Sequence, residues 1–446
     1  MNQSADSTAA PSLLKTVLGL ERHEARTVGL SFAYFFCILS SYYIMRPVRE
    51  AMGSESVEVI PYLFTSTFFV MLVASPAFAW IASRFPRQVF LPWVYLFFAA
   101  NILLFYGVFS YRLANELSIV WTGRVFFVWI SVFNLFVVSV FWSFMADIYT
   151  KDQGRRLFGL ISAGGSLGAL IGPFTTSAIV NDIGFQNLLP ISTVLLLLGV
   201  ACILKLRTLV DDGAGRAADE AYATEATTEP LGGSFLSGIS QIARSKYFLA
   251  ISVASLVASL LGTALYLFVA ELVNQTVEGT NERTRLFGLM DTATNTGAFL
   301  LQLLVVKHAI RRLGLGATLA ILPLVSVVGF AILAMNPTMM FAVGLQIVRR
   351  SVGFGFAKPT TDMLYSVVTP EQKYKAKNFI DTAIYRAGDV GGAWCIRALL
   401  SSGLGVSPVS LILVPFAAIW SFLALWLGRR YTERDLSGDN SQQAHS

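Results

Sequence analysis

Residues 185–205 read FQNLLPISTVLLLLGVACILK, and the first charged residue in this stretch is Lys205. An α-helix crosses the hydrocarbon core of a bilayer in about 20 apolar residues. Because lipid offers no hydrogen bonds to the backbone, only helices and closed barrels can cross it. The stretch therefore predicts a transmembrane helix.

The composition of the whole chain indicates many such helices. Of 446 residues, 55% are apolar and only 13% are Asp, Glu, Lys or Arg, which is about half the charged share of a soluble domain. The mean hydropathy is +0.62. These values exclude a cytosolic enzyme, a secreted domain and a disordered chain, and they predict an all-α polytopic membrane protein.

Hydropathy predicts twelve spans, and the first is expected to be an uncleaved anchor because polar residues precede it. Spans four, five, ten and eleven are weaker, because they contain charge or much glycine. The spans are 27–45, 59–83, 88–110, 119–145, 157–180, 185–205, 247–273, 285–306, 314–334, 338–357, 377–401 and 408–428.

The basic residues predict the orientation. If the N-terminus is cytoplasmic, the segments on that side hold 23 Lys and Arg residues, and the segments on the opposite side hold 5. Basic residues collect on the cytoplasmic side of membrane proteins. We therefore expect a multi-pass protein of the bacterial inner membrane with both termini in the cytoplasm.

A polar linker divides the chain into two halves. The linker, 206–246, is rich in Asp, Glu, Ala, Thr and Gly, a composition typical of a mobile connection. We expect six helices in 27–205 and six in 247–428, with cytoplasmic segments at 1–26 and 429–446.

The two halves look like repeats of each other. Thr150-Lys-Asp-Gln153 precedes a glycine-rich helix, and Thr369-Pro-Glu-Gln372 precedes another about 220 residues later. Two six-helix halves in one chain are the organisation of a major facilitator transporter, in which solute binds near the membrane midplane between the halves.

Glycines in span five form a stripe along one helix face. Gly164, Gly168 and Gly172 are four residues apart, and Pro173 follows. Without Cβ atoms, this face lets a neighbouring helix approach closely. The stripe is either a tight packing surface or a sliding contact between the halves. It resembles the glycine-rich fifth helix of facilitator transporters.

Charged side chains inside spans, together with those that directly follow span one, are the candidate solute site, because a charge at the centre of a membrane helix costs about 2.5–3.5 kcal/mol on insertion scales. Guanidinium groups match carboxylates and phosphates, so an anionic solute would account for the arginines. The candidate solute-binding residues are Arg46, Arg49, Arg124, Arg349, Arg350, Arg386 and Trp142. The candidate coupling or salt-bridge residues are Glu50, Glu271, Asp291, Asp381 and Asp389.

Each candidate also has a structural interpretation. Arg386 and Asp389 are three residues apart and can pair locally on one helix. Arg349 and Arg350 point about 100° apart, so they cannot make the same contact; either could bridge to an acid on another helix. Arg46 either snorkels to the interface or lines a cavity. Trp142 is either a stacking residue for a ring or part of the packing.

The sequence lacks the motifs of other classes of function. The chain has no phosphate-binding loop of the ATPase type and no hydrolase motif. We therefore expect no enzyme activity, and transport driven by an ion gradient or by exchange. The scattered three Cys and three His residues predict neither a metal site nor a disulfide framework. We expect no cofactor and no nucleic-acid partner, and a monomer whose partners are a small solute and the lipid bilayer.

Several segments resemble the bacterial and plastid ATP/ADP translocase family. The resemblance runs through most of the chain, and its motifs are moderately specific. They are Arg46, Arg49 and Glu50 followed by Ile60-Pro61-Tyr62-Leu63; Ala270-Glu271-Leu272; Pro359-Thr360, Met363-Leu364-Tyr365, Lys373, Lys375 and Lys377; and Ile380-Asp381. The resemblance implies a twelve-helix nucleotide transporter.

Four positions depart from that family. Phe64, Gln275, Thr361 and Asp389 stand where the translocases tend to have lysine. The departures predict a less highly charged anion, or a nucleotide held instead by the arginines of the spans.

The sequence as a whole predicts a secondary active transporter. It would move a small anionic, nucleotide-like solute across the inner membrane by alternating access. One alternative is a proton-coupled exporter or importer of an amphipathic or peptidoglycan-type solute. Another is a lipid-handling or non-transporting membrane protein.

Overall fold

The protein is helical throughout the part that the structure describes. In this computed structural model, the described residues are 24–84, 87–213, 242, 245–369, 376, 377 and 379–443. No strand occurs among them. The all-α prediction is confirmed.

Twelve helices account for most of the described chain. They are α1 (Ala25–Ser54), α2 (Ile60–Arg84), α3 (Arg87–Ala114), α4 (Val120–Ile148), α5 (Lys151–Ile183), α6 (Leu188–Gly213), α7 (Lys246–Thr276), α8 (Thr280–Leu300), α9 (Val306–Met335), α10 (Met339–Val352), α11 (Tyr385–Ser401) and α12 (Val406–Gln443). Short 3₁₀ turns occur at Val57–Val59 and Phe185–Asn187.

Three π-helical turns interrupt the described part of the second half. Leu301–Val305 joins α8 to α9, Gly353–Ala357 joins α10 to the short helix Lys358–Met363, and Ile380–Ile384 leads into α11. Gly314, with φ of 77°, breaks the helical path inside α9. Span eight therefore runs past the π turn, and span nine begins after Gly314.

Length and composition distinguish the spans from one another. Nine described segments are long and apolar enough to cross a membrane, and one of them, 280–335, contains spans eight and nine. Spans ten and eleven are not among the nine. Both contain arginines, and π turns divide both into shorter pieces. Because a functional site has to carry such charges, weak hydropathy there is expected.

The outer surface of the bundle is apolar. Trp93, Trp121 and Phe422 each expose about 70% of their surface or slightly less. Apolar exposure on this scale is costly in water and favourable in lipid. The surface is that of a multi-pass membrane protein.

Each half has its own apolar core. One cluster draws its buried residues from 28–206, and a second draws nearly all of its buried residues from 261–420. Residues 214–241 lie outside the described part, so the predicted linker and its boundaries stay predictions. α6 and α12 continue as helices beyond the predicted span ends at 205 and 428.

The glycine stripe packs within the first half. A Cβ atom on Gly168 would lie 2.7 Å from the Phe36 carbonyl oxygen of α1, and one on Gly172 would lie 2.8 Å from Tyr43 Cβ. In the second half, Gly388 of α11 meets α7 in the same way, 2.8 Å from Ser259 Cβ. The matching contacts of α5 with α1 and of α11 with α7 support the repeat.

The repeated Thr-x-x-Gln motif begins α5. The Thr150 hydroxyl accepts a hydrogen bond from the Gln153 backbone (3.3 Å), and the Gln153 side chain accepts one from the Thr150 backbone (3.1 Å). This reciprocal pair is a capping box, which satisfies two backbone N–H groups at the helix start. Most of the second copy, residues 370–372, lies outside the described part.

The bundle has two ends. We call them the outer end and the inner end, after the orientation that the basic residues predict. The outer end carries the turns 55–56, 115–119, 277–279, 336–338 and 402–405.

Candidate functional site

A cavity of about 700 Å³ lies between the two halves. α1 and α2 contribute the first-half wall, and α7 to α12 contribute the second-half wall. The volume falls within the range of about 300–1,000 Å³ found for small-molecule sites. The charged lining residues are Arg46, Arg49, Glu50, Arg349, Arg350, Lys358, Asp381, Arg386 and Asp389.

Asp291 joins the halves through one carboxylate oxygen. Its Oδ1 atom lies 3.3 Å from Arg46 Nη1 of the first half and 2.8 Å from Arg350 Nη1 of the second half. Asp291 is 1% exposed. Among the described residues, neither Asp291 Oδ2 nor Arg350 Nη2 has a hydrogen-bond partner. The cluster is therefore buried, ionic and incompletely satisfied.

Arg49 and Glu50 form a second pair on α1. Arg49 Nη1 lies 2.9 Å from Glu50 Oε1, and its Nε donates to the Phe127 carbonyl (3.2 Å). The Arg49 guanidinium also stacks 3.9 Å from the centroid of the Phe127 ring. This stacking fixes Arg49 against α4, while Glu50 balances its charge.

Arg349 differs from the other cavity cations because, among the described residues, no carboxylate lies within 4 Å of its guanidinium. It is 8% exposed. Its Nε donates to Ser326 Oγ (3.2 Å), and its Nη2 donates to the Ala258 carbonyl (2.7 Å). A Cβ on Gly262 would lie only 3.0 Å from Nη1. The absence of that Cβ makes room for the guanidinium.

Asp389 faces α7. Its Oδ1 accepts hydrogen bonds from Ser259 Oγ (2.5 Å) and Thr263 Oγ1 (3.1 Å), and its Oδ2 lies 3.9 Å from Arg386 Nη1. The predicted local pair of Arg386 and Asp389 is present, at long distance.

The inner end of the cavity carries a balanced cluster. Lys358 Nζ lies 3.1 Å from Asp381 Oδ2 and 3.4 Å from Asp362 Oδ1, and Lys377 Nζ lies 2.8 Å from Asp362 Oδ1. The π turns Gly353–Ala357 and Ile380–Ile384 adjoin these residues. π-Helical turns are frequent at functional sites.

Polar contacts close the outer end between the halves. Asn181 Nδ2 donates to Glu282 Oε1 (2.7 Å), and the Phe185 backbone donates to Asn281 Oδ1 (2.9 Å). Thr280 Oγ1 donates to Glu55 Oε1 at 3.5 Å, and burial raises the pKa of Glu55 above its ordinary value.

Closer to the middle of the bundle, small residues bring the halves together. Asn295 Nδ2 of α8 donates to the Ala169 carbonyl of α5 (2.7 Å). A Cβ on Gly288 would lie 3.0 Å from the Pro173 carbonyl. Pro173 therefore lies at the interface between halves, whereas the glycine stripe beside it faces α1.

Three predicted site residues lie away from the cavity lining. Arg124 stacks 4.6 Å from the Trp121 ring centroid. Trp142 packs edge-on against Phe141 at 5.1 Å. Glu271 accepts a hydrogen bond from Gln275 (2.5 Å). The remaining candidate arginines and Glu50, Asp381 and Asp389 line the cavity, and Asp291 lies directly behind its wall.

The cavity also contains residues that the sequence analysis did not select. On α7, Thr263 and Tyr266 line the cavity, and Ser259, one helical turn before Thr263, is buried against Asp389 of α11. A polar stripe in an otherwise apolar span was the available signal. Of the four positions that depart from the translocases, Phe64, Thr361 and Asp389 line the cavity.

Known proteins resemble the chain in sequence and fold. The profile of the Major Facilitator Superfamily matches residues 30–392. "ADP,ATP carrier protein 2" of Chlamydia pneumoniae is 22% identical over 487 aligned positions, which cover 90% of this chain and 86% of the relative. The predicted resemblance to translocases is confirmed.

Solved transporter structures share the fold. A mutant form of the nucleoside transporter NupG aligns with a TM-score of 0.61 at 14% identity, covering 91% of this chain and 100% of that chain. A bacterial homologue of the iron transporter ferroportin in its inward-facing state aligns with a TM-score of 0.61 at 11% identity, covering 92% and 99% of the two chains. At such identities the likeness concerns the fold alone.

Proposed function

This chain belongs to the major facilitator superfamily, and from that premise we propose that it is a secondary transporter of a small anionic solute. The carrying observation is the cavity between the halves, with Arg46, Arg49, Arg349 and Arg350 on its walls. A membrane-buried arginine pairs with carboxylates or backbone carbonyls, or faces a water-filled cavity, and of these partners only a carboxylate or another anion neutralises its charge. Among the described residues, only the carboxylates of Glu50 and Asp291 lie within 4 Å of these four arginines, too few to neutralise them all.

The proposed solute binds by its anionic group. A guanidinium donates hydrogen bonds in a planar fork that fits carboxylate and phosphate oxygens. Phe64 and Tyr266, with ring centroids 5.5 Å apart, offer an apolar wall for the rest of the solute. The similarity to a Chlamydia protein named as an ADP,ATP carrier supports an anionic solute.

The way in which the halves meet supports a mechanism of alternating access. The contacts Asn181–Glu282 and Phe185–Asn281 hold the outer end shut, while Arg46–Asp291 ties the halves beside the cavity. An anion at Arg46 and Arg350 would compete with Asp291 for the same guanidinium groups. Solute binding would thereby loosen the tie between the halves, and release of the solute would restore it. This competition suits exchange as well as ion coupling.

The proposed location is the bacterial inner membrane, with both termini in the cytoplasm. Its support is the excess of basic residues on one side of the predicted topology.

A solute screen and an uptake assay test the proposal. Purified protein would be screened by thermal shift against nucleotides, sugar phosphates, carboxylates and lipids. Uptake of the solute that gives the largest shift would then be measured in proteoliposomes that contain the protein. We expect uptake by the native chain and at least a tenfold loss in the Arg349→Ala, Arg350→Ala double variant.

Arg430→Gln is the matched control. Arg430 is an exposed arginine that pairs with Glu433 (2.7 Å) outside the cavity. Uptake in the control should equal that of the native chain. Undiminished uptake in the double variant would refute the role of the arginines, and lipid scrambling without solute uptake would favour a lipid-handling function.

A further inference from the structure

The charges around the cavity do not cancel. Most of the cations have a carboxylate within 4 Å: Arg49 has Glu50, Arg386 has Asp389, and Lys358 and Lys377 have Asp362 and Asp381 between them. These groups are neutral in sum.

Two positive charges at the cavity have no carboxylate of their own among the described residues. One belongs to the cluster of Arg46, Arg49 and Arg350, whose three guanidinium groups have only the carboxylates of Glu50 and Asp291 within 4 Å. The other is Arg349, which has hydrogen-bond acceptors but no carboxylate within 4 Å. The lining cations and Lys377 number seven, against five carboxylates in contact with them, so the excess is two.

The excess positive charge lies beside a group of aromatic side chains. Gly262, which adjoins Arg349 Nη1, is one helical turn from Tyr266 on α7, so both face the same side. Tyr266 contacts Phe64 at 5.5 Å between ring centroids, and Phe64 contacts Phe127 at 6.3 Å. A solute with its anionic group at Arg349 would have a ring-binding surface about one helical turn away.

Resting on the proposed anion transport, we propose that the cavity takes a doubly charged anion that carries a ring, such as the phosphate monoester of a nucleoside or of an aryl alcohol. A phosphate monoester carries about −1.5 to −2 charges at neutral pH, which equals the excess. A nucleoside diphosphate or triphosphate would bring charge that the cavity leaves unpaired, and unpaired charge in a buried site is strongly unfavourable.

Ligands that share one ring system and differ in charge test the proposal. Binding of adenosine, AMP, ADP and ATP, and of phenyl phosphate, would be measured by titration calorimetry on the full chain in lipid nanodiscs, without magnesium and at about pH 8 so that the monoesters are fully ionised. We expect AMP and phenyl phosphate to bind at least tenfold more tightly than adenosine, ADP or ATP.

Variants that change the excess positive charge of the cavity should change which of these ligands binds most tightly. Asp291→Asn and, independently, Asp389→Asn raise the excess to three, so each should shift the preference from AMP toward ADP. Arg349→Gln lowers the excess and should weaken AMP binding at least tenfold, while Arg349→Lys should retain it. A packing role alone would change affinity for all ligands without changing which charge is preferred.

Two outcomes would overturn the proposal. If ADP or ATP binds the native chain more tightly than AMP, the charge limit is wrong while anion transport stands. If none of these compounds binds, the proposal of a ring-bearing dianion is wrong. The thermal-shift screen and the uptake assay with carboxylates and sugar phosphates then decide separately whether the chain transports anions. If Asp291→Asn fails to fold, Asp389→Asn carries the same test.

Discussion

Asp291 is the residue through which the two halves share an ion pair beside the cavity. One of its oxygens lies near two arginines from opposite halves, and the other has no partner among the described residues. Removing one partner from a buried ion pair typically costs about 3–5 kcal/mol. Opening of the halves at this point therefore needs a substitute anion, which is why we link solute binding to the movement.

We expect Glu55 to make closure of the outer end depend on pH. It lies just beyond α1, opposite Thr280, and the charged groups that act on it are Arg283 and Arg124. Burial raises its pKa when the outer end is closed, and opening would return the pKa to its ordinary value. A carboxyl whose pKa is higher in the closed form binds a proton on closing. Acidification toward the raised pKa of Glu55 should therefore favour closure of the outer end, and a rise in pH should favour its opening.

Spin labels at two exposed outer positions would measure this effect. Leu117→Cys and Met335→Cys place the labels on different halves, in a chain without its native cysteines. We expect the short-distance population to grow as the pH falls, and Glu55→Gln to hold that population high at every pH. An unchanged pH response in Glu55→Gln would contradict the role of Glu55.

At the scale of helices, the tight contact of α5 with α1 depends on missing side chains. A Cβ on Gly168 would lie 2.7 Å from the Phe36 carbonyl and 2.9 Å from the Ser40 backbone nitrogen. Backbone atoms cannot rotate away, so Gly168→Ala should separate the helices. Overpacking of this kind typically costs about 1–3 kcal/mol, and we expect a lower melting temperature of the purified protein.

Gly159→Ala is the control on the same helix. Nothing lies within 4 Å of the added Cβ, and alanine favours a helix by roughly 0.5–1 kcal/mol over glycine. The control should leave the melting temperature unchanged or raise it. Equal losses in both variants would show that glycine matters to α5 for some reason other than contact with α1.

The helices themselves were largely predictable from the sequence. Apolar runs of membrane length, such as 185–205, identify a span without reference to its neighbours, because the bilayer sets the length. The π turns at Gly353–Ala357 and Ile380–Ile384 were not predictable. They depend on how α10 and α11 pack and carry charge, and hydropathy does not report that.

The candidate site was predictable only in part. Charge inside a span pointed to Arg349, Arg350 and Asp291, because burial of charge in lipid needs a reason wherever the helix lies. Charge alone could not say which residues meet. Arg124 lies outside the cavity lining and stacks on Trp121, because helix rotation and tilt follow from tertiary packing.

For the whole molecule, the decisive prediction concerns the movement of the halves. Asn181 and Glu282 meet at the outer end, 2.7 Å apart between Nδ2 and Oε1, and Glu282 is half exposed. In a chain whose Cys37, Cys202 and Cys395 are replaced by serine, the pair Asn181→Cys, Glu282→Cys could be joined by a short, reducible bis-methanethiosulfonate reagent. If the halves must separate there in each cycle, the joined protein should lose at least nine-tenths of its solute uptake, and a thiol reductant should restore it. Each single-cysteine variant, treated in the same way, should keep its uptake. Binding of the solute from the inner end should survive the cross-link, because the cavity residues Arg349 and Lys358 do not contact the joined positions. Full uptake in the joined protein would rule out alternating access through this end and leave the cavity as a binding site without a transport cycle.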